Sequence, residues 1–180
     1  MLTHYLFYGI IALSQPESED IMTSALQTEI KQRKAFAGPE DEAMLNIMRT
    51  HSVLTGISSA LLKEQNLSAP LYNILRILRG AGDHGARVHD IGDRMVAREP
   101  DMTRLIDRLE KLKLARRERC KVDRRVIYVH ITPAGLDTLA TLDGPVREMH
   151  RKLLGHMSAT ELATISRLMV KAREPHLSEK

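Results

Sequence analysis

From residue 40 onward the apolar positions fall on helical spacings. Met44, Ile47, Met48, His51, Leu54, Ser58 and Leu61 recur at steps of three and four, with Leu62 beside them. The acidic run Glu40-Asp41-Glu42 stands where a helix N-terminus favours negative charge, so the pattern predicts one long helix to about Gln65. Such a long amphipathic face can serve a partner helix as well as its own core. Ser68 and Pro70 suit an N-cap and a first turn, and Leu71, Ile74, Leu75 and Leu78 carry the pattern on to Gly80 and Gly82, which close the helix. A short loop leads to Val88. Asp90 to Val96 predicts a short helix buried through Ile91 and Met95, and Arg98-Glu99 a turn. Pro100 opens a further helix whose apolar face is Met102, Leu105, Ile106, Leu109 and Leu112. Two short helices joined by a tight turn make a helix-turn-helix candidate.

After Leu112 the period changes from helical to two. Ile127, Val129 and Ile131 alternate with Val126, Tyr128 and His130, the pattern of a half-buried strand. Leu114 to Glu118 can pair with it as the other arm of a hairpin, and Arg119 to Arg125 forms a long basic tip. A helix-turn-helix followed by a hairpin is a winged helix. Thr132-Pro133 then starts a helix through Leu136, Leu139, Ala140, Val146, Met149 and Leu153, which Gly144-Pro145 is expected to kink or split. Ser158 to Glu161 reads as a capping box opening a last helix, buried through Leu162, Ile165, Leu168 and Met169 and stopped near Pro175. The fold class is mainly α with a small β-hairpin wing. The expected organisation is an N-terminal extension over 1–38, long helices over 39–66 and 133–175, and the winged helix-turn-helix over 68–132.

Residues 1–38 carry less signal. Met1 to Leu13 is apolar but lacks a basic leader and a small-residue cleavage site. Met22 is the expected true start. Residues 22–37 can begin a helix that Gly38-Pro39 breaks. The longest apolar stretch, Tyr5 to Leu13, is far short of the roughly 20 residues that span a bilayer. With one cysteine there is neither an intramolecular disulfide framework nor a multi-cysteine metal site. The expectation is a soluble, cytoplasmic protein with no membrane partner, and an aliphatic core because aromatics are only 3 % of the chain.

The net charge of +4 changes the picture only when it is resolved by position. Residues 1–86 carry −2, residues 87–125 carry +5 and residues 126–180 carry +1. A charge run of this kind can be a solvated, salt-bridged face. On a helix-turn-helix with its hairpin it can equally be a phosphate-binding surface. On the Pro100–Leu112 helix the face away from the core shows Asp101, Thr103, Arg104, Asp107, Arg108 and Lys111. Arg104 can bridge guanine O6 and N7, Thr103 can meet a base or a phosphate, and Asp101 can accept from cytosine N4. Arg108 and Lys111, further along, suit phosphates. Asp107 repels phosphate, so it should pair with Arg104 or Lys111 on its own helix. At the wing, Arg119, Lys121, Arg124 and Arg125 supply charge, and Arg124 and Arg125 can enter a minor groove. Asp123 should orient one of the arginines by a charge-assisted hydrogen bond.

Three segments in order, LYNILRIL, MTRLIDRLEKLKLARRE and DRRVIYVHITPAG, resemble the multiple antibiotic resistance regulator (MarR) family of winged-helix transcription factors. The likeness runs from about Glu40 to Pro175. Its most specific part is Asp123 and Arg125 on the wing, a strand, then Thr132 and Gly135. Asp101 stands where the family usually has a small hydroxyl residue, and Gly92 where it has Ala. The resemblance implies a homodimer whose first and last helices interlock. Each protomer would offer one winged helix to a half-site of a palindromic operator in double-stranded DNA. It also implies a repressor released by a small aromatic or lipophilic effector bound between the dimerisation and DNA-binding regions. In the family this region includes positions such as Met48, His51, Tyr72 and Arg76. The alternative is a winged helix used for protein–protein interaction, its basic wing only a solvated hairpin.

The remaining candidates are weaker. Cys120 lies between Arg119 and Lys121, which would lower its pKa if it were a redox sensor. Redox members of the family carry the reactive cysteine near the start of the first long helix, so Cys120 reads as an incidental exposed thiol. The eight histidines include no pair at helical metal-binding spacing, and His51 reads as a core or interface residue if it does not wall the effector pocket. No nucleophile elbow, phosphate-binding Gly-rich loop or paired-carboxylate constellation appears. No enzyme activity, cofactor or metal is expected.

Overall fold

The structure, a computed structural model, describes residues 24–120, 123 and 125–177. The chain divides into two compact units, residues 1–51 and 52–180. In the first, helix α1 (Ala25–Glu29) is capped by Ser24, whose hydroxyl accepts the Gln27 N–H at 3.2 Å, and it buries Leu26 and Gln27. Glu29 accepts a 2.7 Å bond from Nε of Arg49 on helix α2 (Pro39–Lys63). The predicted long helix is therefore present, and its acidic first turn of Glu40, Asp41 and Glu42 is in place. Of its expected apolar face only the C-terminal end reaches the core among the described residues: Leu62 is buried and Leu61 packs beside it, while Met44 is 56 % exposed and Met48 53 %.

The second unit is built around helix α3 (Ala69–Ala81). Its Leu71, Ile74, Leu75 and Leu78 are fully buried, as the spacing requires. They meet Ile91 of α4 (Val88–Asp93), Ile106 and Leu109 of α5 (Met102–Lys111), Val129 of β3 (Ile127–Ile131) and Leu139 of α6 (Pro133–Leu154) in one core. The hairpin arm is β2 (Ala115–Arg119), antiparallel to β3, with Arg117 opposite Val129. A third strand, β1 (Ala86–Arg87), adds to the other edge of β3 and pairs Ala86 with Val129, giving the order β1-β3-β2. Gly85 permits this join. Its φ is +63°, and a Cβ there would lie 2.8 Å from the Val129 carbonyl oxygen and 2.7 Å from the His130 ring.

The junction of α6 with the wing explains the Thr132 and Gly135 spacing. The Thr132 hydroxyl donates to the Lys113 carbonyl at 2.7 Å and accepts the Gly135 N–H at 3.1 Å. Its own N–H donates to the Leu114 carbonyl at 3.0 Å. A Cβ on Gly135 would collide with the Leu114 carbonyl oxygen and come within 2.7 Å of Ile131 Cγ1. Only glycine lets α6 start this close to the first residues of the wing.

Four expectations change. The α4 helix starts at Val88 and ends at Asp93 rather than spanning 90–96, and α5 starts at Met102 rather than at Pro100. Pro145 does not split α6, which runs unbroken from Pro133 to Leu154 because Leu142 and Val146 anchor it in the core on either side. The last helix, α7 (Ala159–Arg173), has its capping box, with Ser158 and Glu161 bonded reciprocally, but no residue of it is buried. Ile165, Leu168 and Met169, expected in the core, are exposed. Helical periodicity identifies an apolar face but not what covers it. Among the described residues no helix is long and apolar enough to cross a membrane.

Candidate nucleic-acid interface

Helix α5 buries Ile106 and Leu109 and turns Thr103, Arg104, Arg108 and Lys111 outward. Asp101 is its N-cap: Oδ1 accepts the Arg104 N–H at 3.0 Å. A carboxylate at this end satisfies an orphan donor and complements the helix dipole. The helix-turn-helix turn is braced from α3, where Asn73 Oδ1 accepts the Val96 N–H at 2.8 Å.

Asp107 does not pair within its own helix, contrary to the expected partners Arg104 and Lys111. It reaches across to β2, where Arg117 Nη1 lies 2.6 Å from its Oδ1. The same guanidinium pairs with Glu110 and donates from Nη2 to the Thr103 carbonyl at 3.3 Å. The Arg117 backbone N–H also donates to Glu110 Oε1 at 2.9 Å. One wing residue thus engages both carboxylates in the middle of α5. Among the described residues Arg104, Arg108 and Lys111 carry no ion pair. Sequence reasoning missed Arg117 and Glu110. The available signal was two acids on a phosphate-facing helix, which call for a compensating cation, but the cation lies on another element.

On the wing, Arg119 ends β2 and is exposed, while Lys121 and Arg124 lie outside the described residues. Among the described residues the Asp123 carboxylate bonds to backbone rather than to a guanidinium, and the neighbouring Arg124 lies outside them. Asp123 Oδ1 accepts the backbone N–H of Arg125 at 2.9 Å, and the Asp123 carbonyl accepts the Val126 N–H at 3.0 Å. Asp123 therefore shapes the tip as an Asx turn, and the exposed Arg125 side chain has no ion pair among the described residues. Cys120 closes the tip, its N–H donating to the Val126 carbonyl at 2.9 Å, and its side chain is half-buried.

Of the ligand-pocket candidates, Tyr72 and Arg76 come together on α3, with the guanidinium carbon 5.9 Å from the ring centroid. Met48 and His51 are exposed on α2. Next along α3, Arg79 makes a two-pronged bond to Asp143 of α6, at 2.8 and 3.0 Å. That fork, and then the charges of Arg79, Arg76 and Arg147, hold the Asp143 carboxyl below its ordinary value. Two grooves were not foreseen. One, of about 390 Å³, is lined by Ile57 and Leu61 of α2 and by Pro145, Met149 and Leu153 of α6, with Glu148 and Lys152 beside them. The other, of about 340 Å³, brings Ser59 and Lys63 of α2, the start of α3, and Arg108 of α5 together.

Known proteins share this architecture. Residues 67–127 match the MarR family. A MarR transcription factor from Planctomyces limnophilus is 41 % identical, with 75 % of this chain and 98 % of that chain covered and a TM-score of 0.60. The HTH-type transcriptional repressor IacR of Pseudomonas putida is 23 % identical over 130 residues, 72 % of this chain and 77 % of its own length. The fold also superposes on the S. aureus MepR–DNA complex with a TM-score of 0.65 at 20 % identity, covering 74 % of this chain and 96 % of that one. With its winged helix, its outward cations on α5 and this likeness, the chain belongs to the MarR family of DNA-binding transcriptional regulators.

Proposed function

We propose that the protein is a repressor that binds a palindromic operator as a homodimer and is released by a small aromatic or lipophilic ligand. The observation that carries the DNA contacts is the outer face of α5, where the cations have no ion pairs among the described residues and the acids are engaged from within. Thr103 and Arg104 meet base edges in the major groove, and Arg108 and Lys111 meet phosphates. Asp101 keeps a second carboxylate oxygen for a cytosine amino group. Arg119, Lys121, Arg124 and Arg125 follow the minor groove, on a tip shaped by Asp123.

The dimer reading is supported by apolar surface that this chain leaves open. Ile165, Leu168, Met169 and Val170 are exposed on α7, as are Met44 and Met48 on α2. Exposed apolar helix faces of this kind mark protein–protein contacts. A second copy would set two winged helices about 34 Å apart, one turn of DNA. The ligand reading rests on Tyr72 and Arg76, which pair an aromatic face with a cation, and on Met48 and His51. The apolar groove between α2 and α6 has a volume suited to a small molecule.

The test is to sequence the genomic DNA that the purified protein retains and to footprint it. A two-fold symmetric footprint and a steep fall of affinity with salt are expected, and Arg104→Ala or Arg125→Ala should weaken binding without lowering the melting temperature. A flat salt dependence would reject the DNA contacts, and a footprint on one half-site would reject the palindrome. Aromatic acids that raise the melting temperature should release the operator; acids that bind without releasing it would remove the ligand part.

A further inference from the structure

The second groove belongs neither to the α5 base-reading face nor to the wing. Its walls are Ser59 and Lys63 from the end of α2, Asn66 and Ser68 before α3, and Arg108 from α5, over a floor that includes Leu67. Among the described residues no carboxylate lines it. Lys63 and Arg108 come from helices far apart in the chain, and among the described residues neither has an ion-pair partner. The carboxylates adjoining Arg108 on α5, Asp107 and Glu110, are already held by Arg117. Two like charges on one concave wall repel each other unless an anion lies between them. Two hydrogen-bonding groups complete the wall: the Ser68 side chain makes no capping bond to α3, and the Asn66 side chain is exposed.

The groove is also preformed. Asn66 adopts φ 55° and closes α2 in a left-handed cap. Its N–H donates to the Lys63 carbonyl at 2.9 Å, and the Leu67 N–H donates to the Leu62 carbonyl at 3.0 Å. Leu67 is buried in the core, so the turn that sets Lys63 opposite Arg108 is fixed before any ligand arrives. A rigid wall of an ammonium, a guanidinium and a hydroxyl suits a tetrahedral oxyanion with several acceptor oxygens. Arg108 sits on the helix that faces the operator, between Arg104 and Lys111, which places DNA phosphates at the groove's mouth.

We propose that this groove clamps one backbone phosphate of each operator half-site between Lys63 and Arg108. The clamp rests on the DNA-binding reading above and adds a contact from the α2–α3 turn to those of α5 and the wing. It carries no base preference.

The experiment measures operator affinity against salt concentration for the full chain and for Lys63→Gln, Arg108→Gln, the double variant and Arg125→Ala. Each groove variant should weaken binding several-fold and lower the log–log salt slope by about 0.9 for each phosphate no longer neutralised. Discrimination against mutated operators should stay as in the wild type. A methylphosphonate scan should find one backbone position per half-site whose neutralisation weakens the wild type but not the double variant. Lys63→Gln binding with wild-type affinity and slope, while Arg125→Ala binds weakly, would overturn the clamp and leave the DNA reading intact. A flat slope for the wild type would overturn both. If inorganic phosphate raises the melting temperature of the wild type but not of Lys63→Gln, and no methylphosphonate position responds, the groove takes a free anion and the clamp is wrong.

Discussion

Arg117→Ala tests how the wing and α5 depend on each other. The substitution removes the guanidinium's bonds to Asp107 at 2.6 Å, to Glu110 and to the Thr103 carbonyl at 3.3 Å. It keeps the backbone bond from residue 117 to Glu110 Oε1 at 2.9 Å. The Arg117 side chain is 24 % exposed, Glu110 32 % and Asp107 49 %, so these are neither buried pairs nor free surface pairs. Partly exposed ion pairs contribute about 0.2–1 kcal/mol each, and the bond to the helix carbonyl contributes about 1 kcal/mol. Together that is about 2 kcal/mol, short of the roughly 3–5 kcal/mol that breaking a buried pair costs. The reason it stays short is that Asp107 can return to water and Glu110 keeps a donor. For a chain of 180 residues the melting temperature should fall by about 4–8 °C. The chain has no Trp, so unfolding is followed by helical circular dichroism.

Operator affinity should fall further than stability does. Two carboxylates then stand uncompensated beside Arg104 and Arg108, and their repulsion of phosphate is strongest at low salt. A double-mutant cycle with Asp107→Asn should return a coupling of about 0.5–1 kcal/mol. An Arg117→Ala protein that melts with the wild type and binds the operator equally well at low salt would refute the linkage.

Three further outcomes follow from other parts of the fold. Gly135→Ala drives a Cβ into the Leu114 carbonyl and Ile131, neither of which can move without opening the α6–wing junction. It should cost about 1–3 kcal/mol by urea unfolding, and an unshifted midpoint would contradict the close approach. The Arg79–Asp143 link is acid-sensitive: Asp143 is held below its usual value, so its stabilisation is complete at neutral pH and disappears as pH falls through that lowered value. Below about pH 4, Asp143→Asn and wild type should therefore converge in melting temperature; a constant gap down to about pH 2 would count against it. Leu168→Glu, on the open face of α7, tests the proposed homodimer: it should sediment as a monomer, where the wild type sediments as a dimer, with its helical circular dichroism kept. A variant that stays dimeric would move the interface elsewhere.

The winged-helix core is legible because its signals are local. Leu71, Ile74, Leu75 and Leu78 lie at helical spacing on one element, and all four are fully buried. Ile106 and Leu109 follow the same rule on α5, and Val129 sits at the centre of the strand that the period-two run marks. Ser158 and Glu161 form their capping box as the spacing of three implies. What a linear pattern does not show is what one element does to another. Strand β1 is two residues long, too short for any periodicity, and exists because Val129 offers it an edge. Arg117 meets Asp107 only once β2 has folded back along α5. The exposed faces of α2 and α7 have the helical period of core helices, but no residue within the described chain covers them. In sequence, Asp101 and Asp123 suit ligands of DNA or of arginine, yet both serve the backbone, one as a cap and one as a turn. Short acids at the ends of elements bond locally before they reach outward.

The central surplus of +5 gains its meaning from this division of labour. Within residues 87–125 most of the acids are used inside the fold. Asp90 pairs with Arg87 and Glu118 with Arg116. Asp107 and Glu110 share Arg117, Asp101 caps α5, and Asp123 forms the wing turn. The cations without an ion pair among the described residues include Arg104, Arg108 and Lys111 on α5 and Arg119 and Arg125 on the wing. A modest net charge therefore becomes a strongly positive surface on one helix and one hairpin, because the negative charges point into bonds and the positive ones are left over. Substitutions that free an acid should weaken DNA binding as surely as those that remove a cation, although the acid never meets the DNA.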